Sequence, residues 1–108
     1  MKIVTLEDKD PWEIVPYQFD LSRNTAFSVN GDVIASLAFG IYTQGDDPSN
    51  PTLITAMVYA TSWSGNVIQC DTGSGTDTVG TYILRGRVTC VSGRRYEAWG
   101  KFKVKEEA

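Results

Sequence analysis

The chain has 108 residues, enough for one domain built around one core. Its 42% apolar content argues against a disordered chain, and its net charge of −3 against a strongly basic nucleic-acid binder. It has no histidine, which excludes Ser-His and Cys-His nucleophile pairs, His metal ligands and the usual neutral-pH general base.

The charge is uneven. Residues 1–54 carry three basic and eight acidic groups, net −5, and residues 55–108 carry seven basic and five acidic groups, net +2. Such asymmetry suits a protein that meets another protein with one end. No run approaches the roughly 18 apolar residues that cross a bilayer, so no membrane partner is expected. The N-terminus MKIVTLEDKD turns acidic at once, unlike a secretory signal, and synthesis in a cytoplasm is the expectation.

Residues 1–16 read as an N-terminal arm ahead of one domain spanning 17–108. Within the arm, 2–6 can add an edge strand, while Pro11 and Pro16 keep 8–16 extended. Ser28 to Asp32 reads as a turn through Asn30-Gly31. The run 33–43 alternates with period two and places Val33, Ala35, Leu37, Phe39 and Ile41 on one face. Gly45 to Pro51 holds two prolines and reads as a loop; 52–61 and 66–70 are further β-rich runs, with Trp63 in a turn between them. Thr72 to Gly80 is a glycine-rich loop.

The last two strands are the clearest. Tyr82, Leu84, Gly86, Val88 and Cys90 share one face of 81–90, and Tyr96, Ala98, Gly100, Phe102 and Val104 share one face of 96–105. A hairpin loop at 92–94 pairs 91 with 95. Val88 then faces Ala98, Gly86 faces Gly100, and Leu84 faces Phe102. The facing glycines leave a notch for a large side chain such as Phe39 or Trp63. Short strands with turn-rich spacers and almost no helix signal indicate an all-β antiparallel β-sandwich of about seven strands. Cys70 and Cys90 fall on different strands and are expected to be buried thiols rather than a disulfide framework.

Candidate chemistry is sparse. Asp71-Thr72-Gly73-Ser74 is similar to the active-site loop of aspartic proteases, which need two carboxylates sharing a proton. It lies late in the chain, however, and reads more simply as a capped glycine turn. Asp46, Asp47, Asp71 and Asp77 lie in loops that could converge on Ca²⁺, but their spacing matches no EF-hand, and solvated turn residues are expected. The two cysteines lie twenty residues apart, with no histidine to complete a zinc site, so no metal or cofactor is expected.

The outward face of the final hairpin is more informative. It carries Arg85 and Arg87 on one strand and Trp99, Lys101 and Lys103 on the other, with Arg87 placed to stack on Trp99. Trp12, Ile14 and Val15 are too apolar for an arm left wholly in water. These eight residues, Trp12, Ile14, Val15, Arg85, Arg87, Trp99, Lys101 and Lys103, are the partner-interface candidates.

A series of short motifs runs along the chain. Asp10-Pro11 opens the arm, and Tyr17-Gln18-Phe19-Asp20-Leu21-Ser22 follows. Gly31-Asp32-Val33-Ile34-Ala35-Ser36 opens a strand, Gly73, Gly75 and Gly80-Thr81-Tyr82 form a turn and strand entry, and Gly93-Arg94 closes a hairpin after Val88-Thr89-Cys90. This order, over roughly residues 8 to 105, resembles a family of small virion structural proteins of tailed bacteriophages, with Leu21 where that family usually has a tryptophan. The resemblance implies an immunoglobulin-like fold, no catalysis and a place in the virion after synthesis in a host bacterial cytoplasm. The leading expectation is a capsid decoration or cement protein bound to the major capsid protein. The alternative is a low-copy connector, tail or fibre adaptor. A homo-oligomer is compatible with either. A carbohydrate-binding module would need an aromatic platform and a secretory signal, neither of which is evident.

Overall fold

The structure, a computed structural model, describes residues 3–43 and 53–106. The strands are β1 (Ile3–Thr5), β2 (Val15–Asp20), β3 (Ile34–Thr43), β4 (Val58–Ser64), β5 (Val67–Thr72), β6 (Gly80–Cys90) and β7 (Arg95–Val104). One sheet has the order β1-β7-β6-β3 and the other β2-β5-β4. Among the described residues the strands pair antiparallel except β1 with β7, a parallel pairing that an isolated bridge from Lys9 to Val104 continues. The expected seven-stranded β-sandwich is therefore what forms.

Burial follows the period-two pattern in β6, where Tyr82, Leu84, Gly86, Val88 and Cys90 all face inward. From β7, Gly100, Phe102 and Val104 are buried beside them. The second sheet supplies Tyr17 and Phe19 from β2 and Ile68 and Cys70 from β5. Phe102 lies between Tyr17 and Tyr82, with ring centroids 5.0 and 5.5 Å away. Cys70 and Cys90 are free and buried, as expected. Burial raises both thiols.

The β6–β7 register differs from the sequence expectation by two residues. Cys90 pairs with Arg94, so Val88 faces Tyr96, Gly86 faces Ala98, and Leu84 faces Gly100. Both registers keep the same faces inward, so hydrophobic alternation could not separate them. The turn decides. The Gly93 N–H donates to the Cys90 carbonyl (2.9 Å) and Gly93 has φ +90°. This is a three-residue loop with glycine at its last, left-handed position, which a loop centred on Gly93 does not provide.

Gly86 and Gly100 consequently fill separately. A Cβ on Gly86 would come within 2.7 Å of Ile68 Cδ1 and 2.8 Å of Phe39 Cε1. Phe39 reaches it from the neighbouring strand β3, and the side chain that arrives from the facing sheet is Ile68 of β5 rather than Trp63. We expect Gly86→Ala to cost about 1–3 kcal/mol through overpacking, read as a lower urea midpoint.

Four local expectations are corrected. A bulge between Ile34 and Ser36 shifts the strand's phase, so Ile34 is buried while Val33 is 64% exposed and Ala35 also faces solvent. The 28–32 segment is not a simple turn. Thr25–Asn30 form a short helix, α1, capped by the Asn24 side chain on the Phe27 N–H and ended by Gly31 at φ +61°. Trp63 lies in β4, and the turn to β5 is Gly65-Asn66. In the 52–61 run, Leu53 bridges to Tyr42 and Thr55–Met57 form a 3₁₀ turn before β4 begins. The loop reading of Gly45 to Pro51 lies outside the described residues.

Candidate docking face and the clamp that supports it

The segment before β2 is held against its own domain. β1 runs along β7, the Leu6 N–H donates to Lys101 O (2.8 Å), and Lys9 exchanges backbone bonds with Lys103 and Lys105 (2.9 Å each). Tyr17 Oη donates to Glu7 O, fastening the same stretch to β2.

The strongest fastening is ionic. Lys9 and Asp77 are both fully buried side chains, with Nζ and Oδ2 2.5 Å apart. Lys9 Nζ also donates to Asp10 O (2.9 Å). The other Asp77 oxygen accepts from Ser74 N (3.1 Å) and Ser74 Oγ (2.6 Å). Burial works to raise the Asp77 carboxyl, but the hydrogen bonds from Lys9 and Ser74, with the Lys9 charge, hold it below the usual range. The Asp77 N–H closes the circuit onto Pro11 O. This clamp explains Asp77, whose partner at position 9 was not expected from sequence.

The Asp-Thr-Gly-Ser string belongs to the same region. Thr72 is buried with its hydroxyl on Cys70, Asp71 accepts from Gln69 Nε2 (2.8 Å), and Ser74 serves Asp77. Each side chain thus has a local structural partner. Among the described residues no group of His, Cys, Asp and Glu is arranged to hold a metal; Asp46 and Asp47 lie outside them.

The interface candidates separate into two places. On the clamp side, Trp12 is 79% exposed and Ile14 45%, while Val15 packs partly against the core. On the outward face of the four-stranded sheet lie Arg85, Arg87, Trp99, Lys101 and Lys103. The two-residue change of register moves the stacking partner. Arg85, not Arg87, sits on Trp99, 4.7 Å from the ring centroid. Lys101 pairs with Ile83 and Lys103 with Thr81, farther along the hairpin.

Glu97 was missed from sequence and organises this face. It forms ion pairs with Arg85 and with Arg87 (3.3 Å to Nε), and accepts from Trp99 Nε1 (3.2 Å). The hydrogen bond from Arg85 leads in holding the Glu97 carboxyl below its usual range. Its position was readable, since 97 shares the outward parity of 99, 101 and 103. Trp99 also borders a groove of about 740 Å³ lined by Val4, Gln18, Phe19, Asp20 and Asn24. The face therefore offers fixed cations, a fixed indole and an adjacent recess.

The far end of the hairpin is set by Asp32. Its carboxylate accepts from Tyr96 Oη and Ser92 Oγ (2.7 Å) and pairs with Arg94 (3.3 Å). Asp32 thus gathers hairpin side chains rather than local backbone amides. Asp20 does hold a local amide, accepting from Ser22 N (3.0 Å).

No protein-family model matches the chain, and no curated protein matches it. Among the described residues no helix is long and apolar enough to cross a membrane.

Proposed function

We propose that this is a non-catalytic structural protein of a tailed-phage virion, most simply a capsid decoration or cement protein that binds the major capsid protein. The motif resemblance supplies the biology. The observation that carries the docking role is the outward face of β6 and β7, where Arg85 and Arg87 engage Glu97 beside Trp99 and Lys101 and Lys103 continue along the same face, on a chain whose net charge is −3. Such a face suits an acidic protein surface. Nucleic acid is a poorer fit, because these cations are too few to dominate a chain that is acidic overall.

A binder specific for assembled shell stabilises it by mass action, and many weak repeated contacts suffice. The test is the copy number in purified virions, by quantitative mass spectrometry against the major capsid protein. A simple lattice ratio supports decoration. About a dozen copies or fewer support the connector or tail reading of the same fold, and absence from virions overturns both.

The face itself is tested by Trp99→Ala combined with Lys101→Glu. We expect at least a tenfold loss of affinity for shells, about 1.4 kcal/mol, with the fold retained. Unchanged binding would remove this face from the interface.

A further inference from the structure

We infer that the open edge of β4 is a self-association site, at which a second copy of this chain adds its own β4 antiparallel about a twofold axis. The inference does not depend on the virion reading.

The four terminal strands of the two sheets are not equivalent. β1 has only three residues, and β2 carries Pro16 and Asp20. β3 is interrupted by its bulge, and its far end is occupied, since Tyr42 bridges to Leu53 and Ile41 O accepts from Ile54 N (2.7 Å). These are the usual ways in which an edge is blunted. β4 (VYATSWS) has no charge and no proline, and its bulge lies at the start, between Val58 and Ala60. Among the described residues, Ala60–Ser64 is regular strand with β5 on one side and no strand pairing on the other.

Every residue from Tyr59 to Ser64 is exposed. That is unusual for Thr61 and Trp63, because they pair with buried Cys70 and Ile68 and so belong to the inward face. Neither is covered within its own chain, and Trp63 is left 44% exposed. The hairpin register gives the direction of the backbone groups. Ser64 pairs with Val67 across the two-residue turn Gly65-Asn66. Residues flanking such a turn bond to each other, so Ser62 bonds to Gln69 and the N–H and C=O of Thr61 and Trp63 point to the open edge.

A second copy satisfies this edge in one register. Thr61 exchanges backbone bonds with Trp63 of the second copy, and Trp63 with Thr61 of the second copy. Ser62 meets its own counterpart at the axis. No like charges are brought together, because the strand carries none, and each Trp63 is covered by the other copy's Thr61. An isologous contact of this kind closes at two copies. It is small, so it belongs among weak interfaces, strengthened where copies are held close together.

The test is sedimentation of the full chain from about 10 µM to about 1 mM, with amide exchange at both ends of that range. We expect the apparent mass to rise toward roughly twice the monomer, with the Thr61 and Trp63 amides gaining protection as it rises. Thr61→Pro removes an edge-facing N–H and leaves the β5 ladder intact. Ser62→Lys sets two cations face to face at the axis. Each should weaken association by about tenfold or more. Thr5→Lys, which adds the same charge on exposed β1 in the other sheet, should leave it unchanged. A chain that stays monomeric throughout overturns the inference. So does a dimer that survives both β4 substitutions, or one in which the Thr61 and Trp63 amides stay unprotected.

Discussion

Replacing Asp77 with asparagine is expected to destabilise the fold by about 3–5 kcal/mol, because it leaves the Lys9 ammonium buried without its counter-ion. Lys9→Met is expected to cost a similar amount, since a buried carboxylate then keeps only its Ser74 bonds. For a domain of this size, with roughly 5–15 kcal/mol in total, either change removes a large part of the stability. The double variant Lys9→Met with Asp77→Leu should be less destabilised than Asp77→Asn alone, since it leaves no uncompensated charge. Urea midpoints for the four proteins check this. Additive losses would mean that the two groups do not act as a pair.

The same carboxylate sets part of the acid limit. Asp77 is held below its ordinary value, as are Asp32, where the Tyr96 hydroxyl bond leads, and Glu97, where Arg85 leads. A lowered folded value means that the fold favours the ionised form. The contribution is present above the unfolded value of about 4 and is lost as pH falls through the folded one. Tyrosines set the opposite limit. Tyr17 is raised, chiefly by burial and then by Asp8, Glu7 and Glu13, and Tyr82 is raised by burial and Asp77. For these the contribution is complete below about 10 and declines as pH rises toward the folded values. Urea midpoints should therefore stay level between about pH 6 and 9 and fall below about 4 and above about 10. Asp77→Asn should make the acid limb shallower, Asp32 and Glu97 keeping their share, and leave the alkaline limb in place.

How far these features were legible depends on how far apart their partners lie. The inward faces of β6 and β7 follow from alternation within ten or so residues, and they form as expected. The pairing of those strands was misread by two residues because alternation is blind to even shifts; only the position of Gly93 in its turn distinguishes them. The error moved the cation from Arg85 to Arg87 and hid Glu97 between them. Helix α1 is too short for a periodic signal, and its marks are the capping Asn24 and Gly31. Lys9 and Asp77 were the least legible. They are 68 positions apart, and a lone lysine or aspartate is ordinarily a surface residue. Only the fold shows that two of them are buried against each other.

Gly73→Ala is the second large effect. Gly73 has φ +145°, and a Cβ there would run into the Glu13 carbonyl and lie 3.2 Å from Ile14 Cα. The obstacle is backbone, so no side-chain rotation relieves it. The Gly73 N–H is also committed to Met57 O (2.9 Å). Combining an unfavourable φ with overpacking, the expected cost is about 2–5 kcal/mol. Gly75→Ala supplies the control. Gly75 has φ +83° with nothing within 4 Å of its Cβ, so it carries the conformational cost alone, about 1–2 kcal/mol. The difference between the two isolates the contact with Glu13 and Ile14. Because Gly73 lies next to Ser74, which holds Asp77, Gly73→Ala should be non-additive with Lys9→Met. It should also speed amide exchange in 10–14, the strip that presents Trp12 and Ile14 to solvent. Equal costs at Gly73 and Gly75, with exchange in 10–14 unchanged, would show that this crossing does not hold the N-terminal segment in place.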